Sequence, residues 1–154
     1  MISISEPQLE LFMSLFQGRT VYYGKFWGSD NFKSIYFDAN YNFVLFKNDS
    51  PICSIGFNRG EKSLYVIEQI QGVRGKNIEL SPFRWEKMLV QIMLDWAKFH
   101  KIKKVGVIRG ESSPWYCYGD SERQKRLHMK YDVTATRMGF KLDPHNDKIY
   151  SLTL

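Results

Sequence analysis

The sequence predicts an α/β domain built on a mixed sheet, and three patterns carry that expectation. From Thr20 to Ile70 short β-branched and aromatic runs alternate with turn residues. Two later segments, Trp85 to Phe99 and Leu127 to Met138, repeat apolar residues at helical spacing. Short apolar runs, Val105-Gly106-Val107-Ile108 and Lys148-Ile149-Tyr150-Ser151-Leu152-Thr153-Leu154, follow those helical segments in turn or precede them. At 154 residues the chain is long enough to bury a substantial core as one domain spanning 1–154.

The elements follow in order. Ser5-Glu6-Pro7-Gln8 has the form of a capping box, Leu9, Phe12, Met13 and Phe16 share a face, and Gly18 stops the pattern, which predicts a helix over 6–17. Strands are predicted over 20–27 and 33–37, separated by Gly28-Ser29-Asp30-Asn31. Phe43-Val44-Leu45-Phe46, Ile52 to Phe57 and Leu64 to Ile70 are separated by Asn48-Asp49-Ser50-Pro51 and Asn58-Arg59-Gly60, which predicts an antiparallel meander. Ser81-Pro82 opens the next helix, with Trp85, Leu89, Ile92, Trp96 and Phe99 on its buried face. Ser121-Glu122-Arg123-Gln124 opens the last one, Leu127, Tyr131, Thr134 and Met138 share its inner face, and Gly139 supplies the stop. A strand joined to its neighbour through a helix pairs in parallel, so the sheet should be mixed, with about six to seven strands, an antiparallel N-terminal meander and helices on both faces.

Composition narrows the function. A hydrophobic fraction of 44% excludes an intrinsically disordered chain. The net charge of +6 favours an anionic partner, either a phosphorylated cofactor or a macromolecule such as nucleic acid. Cys53 and Cys117 are too few for a disulfide framework, and Cys117 has no base nearby in sequence to make it a nucleophile. His100, His128 and His145 lack ligand or triad spacing, so no metal site is expected and the histidines are read as surface residues. The basic runs Lys98 to Lys104 and Arg123 to Lys130 read as solvated helix faces. No apolar run approaches membrane-spanning length and no leader pattern opens the chain, so a cytoplasmic location without membrane contact is expected.

The stretch Leu64-Tyr65-Val66-Ile67-Glu68-Gln69-Ile70-Gln71-Gly72-Val73-Arg74-Gly75 and the segment from Tyr131 to Gly139-Phe140 carry a further signal. Together with the element order they resemble the GCN5-related N-acetyltransferase superfamily, GNAT, over roughly residues 43–154. The resemblance implies acyl-CoA-dependent N-acylation, with acetyl-CoA as cofactor and an amine as acceptor. It also implies that backbone donors of strand 64–70 polarise the thioester carbonyl. The loop after that strand, with Gln69, Ile70, Gln71, Gly72, Arg74, Gly75 and Lys76, is then the cofactor-binding segment, because backbone N–H groups free of side chains can surround phosphate oxygens. Arg74 stands where the family has a second small residue.

Four residues before the Gly of Gly-Phe the family often carries a tyrosine that protonates the leaving thiolate; here Ala135 occupies that position and Tyr131 lies one turn earlier. Tyr131 is therefore the candidate acid, or else a packed core tyrosine. Glu68 is the candidate base, as the charged residue expected on the face it shares with Leu64, Val66 and Ile70; the alternative is a structural carboxylate. Trp115, Tyr116 and Tyr118, in the loop where this fold opens its acceptor cleft, are candidate substrate contacts, or a plug over the helical layer. The competing function is a GNAT-like module without catalysis that binds a macromolecule through its basic helices and aromatic loop.

Overall fold

The computed structural model describes residues 39–47, 50–81 and 84–154, so the helix expected over 6–17 and the strands expected over 20–27 and 33–37 lie outside the described residues. The β-rich middle of the chain forms β1 (Tyr41–Lys47), β2 (Ser50–Arg59) and β3 (Leu64–Gly72). A short helix α1 (Asn77–Leu80) leads to the long α2 (Trp85–Phe99), and β4 (Lys104–Ile108) follows. The last helical stretch is continuous but changes pitch: α3 (Ser121–Leu127), a π-helical segment (His128–Val133) and α4 (Thr134–Arg137). β5 (Lys141–Leu142) and β6 (Ile149–Thr153) end the chain. Among the described residues these six strands form one sheet in the order β1-β2-β3-β4-β6-β5.

The sheet is mixed, as the element order requires. β1, β2 and β3 make the antiparallel meander. α2 carries the chain across so that β3 and β4 pair in parallel. β6 returns antiparallel to β4, and β5 pairs antiparallel with β6 at the edge.

Register assigns the faces. Tyr65 pairs with Val105 and Ile67 with Val107, which in turn pair with Leu152 and Tyr150, so these six side chains share one face. Trp96 of α2 packs against Phe43, Phe57 and Tyr65 with ring centroids 5.4–5.9 Å apart, which places α2 on that face. Tyr150 and Asp132 line one hollow, which places the π-helical segment there too.

Two helix starts differ from the sequence expectation. α2 begins at Trp85 with Arg84 as its N-cap residue, three residues beyond Pro82, because the chain first spends one turn in α1. Its buried stripe is Leu89, Val90, Met93, Leu94 and Ala97, whereas Phe99 is 76% exposed, so the helix is turned relative to the Trp85–Phe99 line. The stripe that fits closest against a sheet is the one with the smaller side chains at its centre; Trp85, Ile92 and Trp96 flank it, partly buried. At the second start Asp120, rather than Ser121, is the cap, its carboxylate accepting the Arg123 N–H at 2.9 Å.

The stop at Gly139 is as read. Its φ of +90° suits glycine, and the N–H of Phe140 reaches the carbonyl of Ala135 at 3.0 Å, the longer bond of a Schellman motif. Phe140 is thereby driven into the core. A Gly139→Ala substitution should cost about 1 kcal/mol in urea denaturation, because alanine is strained at that φ.

An ion pair ties the turn after β5 to β4. Asp143, buried, lies 2.5 Å from the Lys104 ammonium. That contact first, with the Ser151 hydroxyl and the His145 N–H, holds the Asp143 carboxyl well below the usual carboxylate range. A carboxyl whose pKa is depressed in the folded state stabilises fully above its unfolded value of about 4 and loses that contribution as pH falls further. Asp143→Asn should cost about 2 kcal/mol at neutral pH and much less near pH 2, read from urea midpoints at the two pH values.

Candidate functional site

The site begins with one extra residue in β3. Gly56 pairs with Gln69, but the next residue, Phe57, pairs with Ile67, so Glu68 is the bulged residue. The bulge reverses the alternation beyond it. Ile67 and Ile70 both turn to the helix-covered face, since they oppose Phe57 and Ile55, while Val66 opposes Asn58 on the other. The expectation that Leu64, Val66, Glu68 and Ile70 share a face is therefore corrected: strict alternation fails where two residues of one strand oppose one of the next.

A bulge also bends its strand. The parallel pairing of β3 with β4 runs from Leu64 with Lys104 to Ile67 with Val107 and goes no further. From Glu68 to Gly72 that edge of β3 faces a gap instead of a strand, leaving its backbone groups to other partners. Tyr131 supplies one. Its hydroxyl accepts the N–H of Ile70 at 3.2 Å and lies 3.5 Å from the Glu68 carbonyl, toward which it can donate. Tyr131 is 5% exposed and Ile70 is fully enclosed, so this amide sits away from bulk water.

The gap opens into a cleft of about 380 Å³ lined by Gln69, Ile70, Gln71, Trp115, Arg123, Arg126, Leu127, Lys130 and Tyr131. It meets a larger groove of about 760 Å³ between the start of α2 and the α3-to-α4 stretch. That groove is lined by six cations, Arg84, Lys87, Lys125, Arg126, Lys130 and Arg137, against two carboxylates, Glu86 and Glu122. Arg126 and Lys130 belong to both linings. Burial lowers the Lys130 ammonium below its ordinary pKa and Arg126 adds to this, while Glu86 opposes it. Its Nζ also stands 6.0 Å from the centroid of the Trp85 ring, joining the helix start to the π-helical segment.

The residues singled out in the sequence distribute as follows. Gln69, Ile70, Gln71, Tyr131 and Trp115 line the cleft. Glu68 lies on the bulge, partly buried, its carboxylate accepting from the Asn58 amide at 2.5 Å. Gly72 packs toward Leu80 and Trp85, and the turn after it carries Arg74 and Gly75 exposed and Lys76 partly buried; none of these four lines the cleft or the groove. Two amides of that turn are already used, Val73 N–H by the Ile52 carbonyl and Lys76 N–H by the Val73 carbonyl. The three loop aromatics part company: Trp115 turns to the cleft, Tyr116 to a separate hollow beside β6, and Tyr118, 82% exposed, to neither. Ala135, at the position of the family's acid, is completely buried in the core.

Two features escaped the sequence reading. The basic run on α3 faces Arg84 and Lys87 across the groove, which a solvated-face reading of the run alone does not reveal. The second is the Asp132 hub. Asp132 accepts from Gly110 N–H at 3.0 Å, pairs with His128 Nδ1 at 2.8 Å and shares a hollow with Tyr150. Burial, then the bond to Asp132 and its charge, raise the Tyr150 pKa. The i, i+4 spacing of His128 and Asp132 was the available signal. Burial, with Glu86 adding, pushes the Cys53 thiol up to about 12, so it is not a nucleophile at neutral pH. Cys117 is exposed. Among the described residues no cluster of three metal-ligating side chains occurs, and no helix is long and apolar enough to cross a membrane.

No protein-family model matches the chain, and no curated protein matches it. Among solved structures it is similar to an acetyltransferase of the GNAT family from Staphylococcus aureus Mu50, at 12% identity and TM-score 0.48, covering 99% of this chain and 97% of that one. An IAA acetyltransferase from Bacillus cereus ATCC 14579 is 17% identical with TM-score 0.46, over 74% of this chain and 77% of that one. A domain from Methanocaldococcus jannaschii DSM 2661 is 18% identical with TM-score 0.40, over 99% and 96%. The described residues have the antiparallel meander and the parallel step across a helix that the sequence predicts, with a terminal strand that returns antiparallel.

Asp132→Ala should cost about 1–3 kcal/mol in urea denaturation by stranding the buried Gly110 N–H, whereas His128→Ala, at an exposed ring, should cost under about 1 kcal/mol.

Proposed function

We propose that the protein is an acyl-CoA-dependent N-acyltransferase, with acetyl-CoA as the donor and an amine as the acceptor. The observation that carries this reading is the joining of one buried strand amide, Ile70 N–H at the β3–β4 gap, to a groove lined by six cations. A ligand with a carbonyl at one end and several phosphates at the other matches both parts. The donor set suits the cofactor: amide and glutamine groups in the cleft, guanidinium and ammonium groups in the groove.

Acetyl-CoA supplies an acyl thioester when bound. The residues of this chain would hold it with the phosphates against Arg84, Lys87, Lys125, Arg126, Lys130 and Arg137, a side-chain cradle in place of the backbone cradle expected at Gly72 to Lys76. Ile70 N–H is the donor for the acyl carbonyl, in a buried setting where such a bond is strongest. Glu68 is the proton acceptor for the incoming amine, directly or through water, with its carboxylate held in place by Asn58. Tyr131 is the hydroxyl nearest the carbonyl donor and the group to return a proton to the departing sulfur. The dispersal of Trp115, Tyr116 and Tyr118 gives no shared stacking platform for nucleic-acid bases, which weighs against the macromolecular alternative.

Acetyl-CoA at about 100 times its Kd should stabilise the protein by about 2.7 kcal/mol, seen as a raised melting temperature. Arg126→Glu combined with Arg137→Glu, both at exposed positions, should weaken binding by about 10-fold or more and flatten its salt dependence. Absence of any melting shift in the wild-type protein at millimolar acetyl-CoA would reject the reading.

A further inference from the structure

We infer that Tyr131 is a placeholder for the acyl carbonyl, a role that rests on the acyltransferase reading and sets how the cleft ranks thioester against free thiol. Ile70 N–H is a buried donor on the open edge of β3, and such a group is costly to leave without an acceptor. In the structure that acceptor is the Tyr131 oxygen at 3.2 Å, and the same hydroxyl lies 3.5 Å from the Glu68 carbonyl. One phenol therefore stands at two of the backbone groups on the open edge of β3.

The donor that the acyl carbonyl needs is thus already occupied. A thioester carbonyl entering the gap replaces one acceptor by another, so the exchange contributes little net affinity. Free CoA has no carbonyl at that point and leaves the phenol where it is. Tyr131 therefore levels the affinities for acetyl-CoA and CoA. A cleft without the phenol has an orphaned amide that only the thioester satisfies.

The test is calorimetric titration of acetyl-CoA, CoA and S-ethyl-CoA, a thioether of matching size without the carbonyl. In the wild-type protein the three Kd values should agree within about 3-fold. In Tyr131→Phe the ratio of the CoA or S-ethyl-CoA Kd to that of acetyl-CoA should rise by about 10-fold. An unchanged ratio in Tyr131→Phe, with all three ligands bound, overturns the placeholder role and leaves the acyltransferase reading standing. Failure of the wild-type protein to bind any of them overturns both. Should the variant not fold, the wild-type Ile70 amide resonance decides: acetyl-CoA should move it strongly and S-ethyl-CoA weakly, and equal responses overturn the role.

Discussion

The bulge at Glu68 is the constraint on which the rest of the site depends. Were β3 regular, its ladder to β4 would continue past Ile67 and Val107 and close the gap with backbone hydrogen bonds. The extra residue bends the strand instead, turns Ile70 toward the helices and leaves its N–H without a strand partner. A buried amide cannot remain so, and the helix opposite answers with a tyrosine.

That answer constrains the helix in turn. The last helical stretch has to place Tyr131 at the gap while keeping Ala135 and Phe140 in the core, and it does so through a π-helical segment between two α-helical turns. Local competition for carbonyls accompanies the wider pitch: the Thr136 hydroxyl takes the Asp132 carbonyl at 2.6 Å, and the Thr134 hydroxyl takes that of Met129. Asp132 then anchors the segment to the chain just after β4. Such π-helical insertions often mark functional sites, because they re-aim a side chain without breaking the helix. Here the re-aimed side chain is the one that meets the bulge.

Charge is organised around the same helix. One side of it carries the groove cations facing Arg84 and Lys87, and another carries buried Asp132 beside the exposed His128 and the partly buried Tyr150. The two are compatible because the Asp132 carboxylate is taken up by an amide and an imidazole and is not turned unpaired toward the groove. The cationic lining can therefore act as a coherent field for an anionic ligand.

Among the described residues the sequence by itself determined the order of β1 to β4, the long helices and the terminal strand, the mixed sheet and the stop at Gly139, because these follow from local periodicity, turn chemistry and the φ that only glycine adopts cheaply. It also placed Ile70, Gln71 and Tyr131 among the site candidates, through the resemblance rather than through any spacing. Tertiary structure alone decided that Glu68 is bulged, since a bulge is a mismatch between two strands and neither strand's sequence records the register of its partner. It likewise turned α2 so that Leu89, Met93 and Ala97 rather than Phe99 meet the sheet, a choice made by packing density. The groove was illegible for the same reason. Arg84 and Lys87 are some forty residues from Arg126 and Lys130, and only the crossover through β4 brings them to one basic surface with the run on α3.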